Sequence, residues 1–196
     1  MSRHFRRRRG DWPFDHHPEG FRDPVYGPRP RFERHIYLYR DQLSFDITSQ
    51  VSVVSRVRRD GDGSADDSLI QAVDSNKALI DRWIDKYVNL AKGRMSAFIL
   101  EPFRRTKSDV LKQEDEIDIE LQMPWSWDDT VFQPLTQAVH DYVVNGVMYE
   151  LFSLMLPPKE HVVNVKQVDM EQSYDDIKRY ICAVKPGVLR KPMQPF

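Results

Sequence analysis

The sequence predicts an α+β fold, mainly helical. Three long helices form a bundle, joined by a β-hairpin and short N-terminal strands and flanked by extended N- and C-terminal arms. Three observations point there. Apolar residues recur at three- and four-residue spacing in three long stretches, the signature of helices with one buried face. They alternate at period two in Glu116–Met123, as a half-buried strand requires. Residues 1–34, by contrast, hold five of the 13 prolines and three of the eight glycines, a composition that opposes regular structure.

Taken in order, residues 1–34 read as an extended basic arm. Phe5, Trp12, Phe14, Phe21, Tyr26 and Phe32 lie within it, and a purely solvated tail has little use for six aromatics, so the arm is expected to dock on its own body or on a neighbour. His35–Arg40 and Leu43–Val57 are rich in β-branched and aromatic residues with polar ones interleaved, and read as short strands. Turn residues follow in RDGDGSA at 59–65. Ser64 and Asp66 are candidate caps of a helix whose apolar positions run Leu69, Ile70, Val73, Ile80, Ile84, Tyr87, Val88 and Ala91, ending near Lys92 and Gly93.

Met95–Leu100 and Glu116–Met123 read as the two strands of a hairpin, spanning about 95–123, around the charged loop RRTKSDVLKQED. Pro124 closes the second strand. After Trp125 and Trp127, Asp128 is a good N-cap for a helix carrying Leu135, Val139, Tyr142, Val143, Val147, Leu151 and Phe152. Pro157 and Pro158 break it, and a third helix carries Val163, Met170, Tyr174, Ile177 and Ile181 up to Pro186 and Gly187. The body is thus expected over 35–185. Residues 186–196, in which Leu189, Arg190, Lys191 and Phe196 are the candidate contacts, form an extended basic tail.

The formal net charge of -1 conceals a division along the chain. Residues 1–40 hold ten arginines against five acids, and the residues from Lys185 onward hold three basic residues and no acid. Sixteen basic and 25 acidic residues remain between them, so a body of net charge -9 sits between basic ends. No stretch approaches the roughly 18–20 apolar residues of a membrane span, and the start MSRHFRRRRGDWPFDHH has no apolar run behind its charges, so neither a secretory signal nor a membrane anchor is expected. Cys182 is the only cysteine, which excludes an internal disulfide and a multi-cysteine zinc site and fits a reducing compartment. Late in a helix between Ile181 and Ala183, it is expected to be buried and inert.

Catalytic signatures are missing: there is no glycine-rich phosphate loop, no GxSxG and no HExxH. No enzyme activity, cofactor or metal is expected. Asp15, His16 and His17 are adjacent on a proline-rich segment, a poor scaffold for a closed metal site, and His140 and His161 read as surface or helix-edge residues. Glu116, Asp118 and Glu120 share one face of a strand and repel one another, which suits a solvated face or a basic partner. The Arg6, Arg7, Arg8 and Arg9 cluster, with Trp12 and Phe14 behind it, either neutralises nucleic-acid phosphates or pairs with the acidic body of another subunit.

The phrases HIYLYRDQLSFDI, IDIELQMPWSW, AVHDYVVNGVMYELF and DIKRYICAV, with the element order that contains them, resemble the head-tail connector (adaptor or head-completion) proteins of tailed bacteriophages, in particular the ring proteins of crAss-like and other Bacteroides phages. The resemblance covers about residues 36–185; the long arginine- and proline-rich arm is a departure from it. It implies a structural virion protein without covalent chemistry, forming a homo-oligomeric ring, commonly of twelve subunits, below the portal and above the next tail or ring protein. Its location would be the virion neck, and the host cytoplasm during assembly. Packaged DNA would pass through such a ring, touched at most non-specifically, and acidic walls would not grip it. On this reading the tail Val188–Phe196 docks on the portal or another ring component, and Trp125 and Trp127 are interface or packing anchors, packing being favoured. The alternative from the residues themselves is a nucleic-acid-binding accessory protein that uses the arginine cluster.

Overall fold

The computed structural model describes residues 31–57, 67–99, 115–157 and 160–186. Residues 1–30, with Arg6–Arg9, Trp12 and Phe14, lie outside these, as do the turn at 59–65, Ser64 and Asp66, most of the charged loop, Pro158, and the tail contacts Leu189, Arg190, Lys191 and Phe196.

Among the described residues the fold is mainly helical with one small antiparallel sheet. Its elements are β1 (Arg31–Tyr39), α1 (Arg40–Val57), α2 (Asp67–Ser75), α3 (Lys77–Arg94), β2 (Glu116–Pro124), a single 3-10 turn (Asp129–Val131), α4 (Phe132–Met155) and α5 (His161–Ile181). Helix α4 is the hub: Leu135, Val139, Val143, Val147, Met148, Leu151 and Phe152 are buried along it, and α1, α3 and α5 pack around it. At Gly146 the approach to α3 is so close that a Cβ there would lie 2.4 Å from the ring of Tyr87. Only glycine fits that crossing.

Three expectations are corrected. Leu43–Val57 is helix α1, not strand: Leu43, Ile47, Val51 and Ser55 fall at four-residue spacing and are all buried. Its surplus hydroxyls are absorbed by the helix itself, Thr48 Oγ1 donating to the Ser44 carbonyl at 2.8 Å and Ser52 Oγ to the Thr48 carbonyl at 2.9 Å. Packing therefore overrides the β-branched preference. The helix expected from Ser64 to Gly93 is two helices, parted at Asn76, whose φ of -116° and ψ of 28° depart from helical values.

The hairpin partner is the third correction. Strand β2 pairs along its whole length with β1, Arg31 opposite Pro124 and Tyr39 opposite Glu116. Helix α3 runs through Arg94 and uses Met95 as its C-cap, which leaves Ile99 to make a single bridge with Leu121. The sheet therefore begins at Arg31, inside the expected arm. One other boundary holds, α4 stopping at Met155 ahead of Pro157, whereas Asp128 caps the separate 3-10 turn by accepting from the Thr130 amide and α4 begins after Val131 without a side-chain cap. Helix α5, however, ends at Ile181, short of Pro186, and its C-cap Cys182 is exposed, not buried.

Candidate interaction surfaces

The two tryptophans after β2 have opposite fates. Trp127 is 1% exposed and the largest of the fully buried side chains, whereas Trp125 is 41% exposed. The Trp127 indole Nε1–H donates to the Tyr180 carbonyl at 2.9 Å, which satisfies its one polar atom in the core. Around it the backbone forms a clasp. Trp127 bridges to Val184, the Asp128 amide donates to the Ala183 carbonyl, and the Lys185 amide donates to the Ser126 carbonyl at 2.9 Å.

Arg34 closes the clasp from β1. Its guanidinium meets the Asp129 carboxylate through two parallel bonds of 2.8 Å and lies 5.0 Å from the ring of Phe32, which itself packs against Trp127. The hydrogen bond from Arg34 holds the Asp129 carboxyl below its ordinary value, with burial opposing and the Arg34 charge adding. The entry of the chain into the sheet at Arg31 and its exit past Lys185 are thus fixed at one end, beside Pro124–Asp128.

The other end of the sheet is acidic. The strand pleat turns Ile117, Ile119, Leu121 and Met123 inward and leaves Glu116, Asp118 and Glu120 outward, as the period-two pattern requires. From β1 the same outer face receives Glu33, His35, Tyr37 and Tyr39, the two tyrosines about half exposed. His35 Nδ1 lies 3.0 Å from Asp118 Oδ2, and the His35 ring stacks on Tyr37. The Tyr37 hydroxyl is raised above its ordinary value by local desolvation and then by the Asp118 and Glu116 carboxylates. Among the described residues, no basic side chain pairs with Glu116 or Glu120. A ring nitrogen of His35 and carboxylate oxygens of Glu33 and Glu120 lie within 4.8 Å of one another, the only grouping among the described residues whose donors suit a divalent cation. Exposed acids gather in this way without an ion as well.

Helix α1 presents a surface that reading it as a strand concealed. Phe45, Ser49, Val53 and Val57 follow at four-residue spacing along its outer side, with Phe45 71% and Val57 79% exposed. The signal was in the sequence, since two interleaved four-residue series run through this segment and only one of them is buried. His140 is also placed differently from expectation. It is mostly buried and joins α4 to α1 through Asp46 Oδ2 at 3.2 Å, beside Lys166, which reaches Gln50 and Asn145 at 3.0 Å each. These groups connect helices. Clefts among the described residues include one of about 520 Å³ beside α1, lined by Arg40, Phe45, Lys77 and Asp81 among others, and one of about 350 Å³ between α3, α4 and α5, lined by Leu90, Tyr142, Met170 and Tyr174 among others. No described helix is long and apolar enough to cross a membrane.

No family model, curated protein or solved structure matches this chain.

Proposed function

We propose that the chain is a structural subunit of a phage neck, which assembles with copies of itself into a ring below the portal, joins capsid to tail, lets DNA pass and performs no covalent chemistry. The observation that carries this reading is the polarity of the subunit. Both basic extensions attach at the Pro124 end of the sheet, and Asp115, Glu116 and Asp118 lie at the Tyr39 end, roughly 26 Å away at 3.3 Å per strand residue. Ends of opposite charge suit head-to-tail association, in which one face of a subunit meets a different face of the next, and such a contact closes into a ring when the rotation permits. The exposed stripe on α1 offers apolar area for the same purpose. The resemblance of HIYLYRDQLSFDI and AVHDYVVNGVMYELF to connector proteins supplies the place of the ring in the virion, although the hairpin on which that resemblance partly rested is paired differently.

Light scattering on the full chain at low and high salt, alone and with a portal-like partner, tests this. A closed oligomer of defined mass is expected. A monomer that never assembles and instead retards duplex DNA in a salt-dependent way would move the arginine cluster to phosphate binding and overturn the reading. Truncation after Pro186 keeps the Lys185–Ser126 contact and should leave a folded protein that has lost its portal partner, if Leu189, Arg190, Lys191 and Phe196 make that contact.

A further inference from the structure

The outer face of the β1–β2 sheet has acceptors and aromatic rings, and among the described residues no lysine or arginine pairs with Glu116, Asp118 or Glu120: His35 reaches Asp118, and Arg31, at the far end of the face, bonds to Gln122. Glu116 and Asp118 are exposed, Tyr37 and Tyr39 are 46% and 49% exposed, and Glu33 and Glu120 continue the same face. A partner for such a surface needs guanidinium groups, which donate two parallel bonds to a carboxylate and stack on tyrosine rings. Lysine, a point charge without the planar fork, would pair with the carboxylates but would supply neither the two parallel bonds nor flat stacking.

The same chain carries that chemistry. Residues 1–30 hold seven arginines against four acids, and five of those arginines are Arg3, Arg6, Arg7, Arg8 and Arg9. We infer that the Glu116–Asp118–Tyr37–Tyr39 face of one copy is the docking surface for the Arg3–Arg9 segment of a second copy. This inference rests on the ring reading and specifies the contact between neighbours.

The attachment point and length of the arm suit contact with a second copy, as the ring reading requires. The chain enters β1 at Arg31, at the end of the sheet remote from Glu116 and Tyr39. Arg9 precedes Arg31 by 22 residues, a span of up to about 70 Å when extended. That is ample to pass from the basic end of one subunit to the acidic end of the next.

The test uses two full-length variants. One reverses the face (Glu116→Lys with Asp118→Lys) and the other reverses the arm (Arg7→Glu with Arg8→Glu). Each alone should weaken self-association by at least ~10-fold at about 50 mM salt, measured by light scattering, and the wild-type association should itself weaken as salt rises. Mixed in equal amounts, the two variants should associate again, because each supplies what the other has lost. Restoration only on mixing identifies contact between copies. Failure of the mixture to restore the mass, with a single chain carrying all four substitutions behaving as wild type, would mean that the arm lies on its own sheet and would overturn the inference. An oligomer indifferent to either reversal would also overturn it while leaving the ring reading intact on other surfaces. A wild-type monomer under every condition would remove both. Glu116→Lys with Glu120→Lys, which leaves the His35–Asp118 contact in place, repeats the face experiment should the first pair perturb folding.

Discussion

The two faces of the β1–β2 sheet share one hydrogen-bond ladder and have opposite tasks. The inner face carries Ile36, Leu38, Ile117, Ile119, Leu121 and Met123, all buried. The outer face carries Glu33, His35, Tyr37, Tyr39, Glu116, Asp118 and Glu120, all exposed or partly so. Because successive side chains point to opposite sides, the fold and the surface chemistry are encoded in alternate positions of the same eighteen strand residues. Substitutions can therefore separate stability from association, which a helix with a continuous gradient of burial seldom allows.

The sharpest break of that separation is Trp127→Ala. It empties the inner seam and leaves the Tyr180 carbonyl without its donor, so a loss of about 3–5 kcal/mol is expected, read as a lower denaturant midpoint. A core lesion away from the sheet is the control. Gly146→Ala forces a methyl group into the Tyr87 ring, itself packed edge-on to Tyr142, and should cost about 2 kcal/mol while the salt dependence of association stays unchanged.

Asp129→Asn probes the clasp more gently. Held by the Arg34 hydrogen bond, the carboxyl titrates below its ordinary value, so its contribution is present above about pH 4 and is lost as the pH falls through the lowered value. The substitution should cost no more than about 1 kcal/mol at neutral pH, given the exposure of both partners, and should shrink the difference from wild type in melts below pH 4. Asp141 contributes in the same direction. Burial pushes its carboxyl up, but the nearby His140 ring and the hydrogen bond from Gln137 outweigh that and lower it. Least of all, Trp125→Ala should change stability by under about 0.5 kcal/mol, and any effect it has should be seen in assembly instead.

What could be read in the sequence followed from local periodicity. Helices α3, α4 and α5, the alternation in β2 and the Asp128 cap are encoded within a few residues of one another, and each was legible. Errors arose where the deciding partner is remote. Whether MSAFIL or the residues from Arg31 would pair with β2 depends on how far α3 runs before its cap, and Leu43–Val57 is helical because α2 and α4 bury one of its sides. The acidic outer face was legible as three like charges at period two; its tyrosines and His35 became part of it only through the pairing with β1. The exposed stripe of α1 was hidden for the same reason that the helix was.

The clasp at Trp127 also bears on the order in which the molecule is made. Arg34 binds Asp129, 95 positions later, and Trp127 waits for Tyr180, a further 53 positions on. During synthesis β1 emerges first and has no strand to join until β2 follows, and the clasp at Trp127 stays open until α5 has left the ribosome. Local helices form early and cheaply, but contacts of such separation must overcome loop-closure entropy and form late. The nascent chain can therefore pair its two strands midway through synthesis, but the clasp around Trp127 stays unsealed until nearly the whole body has been translated.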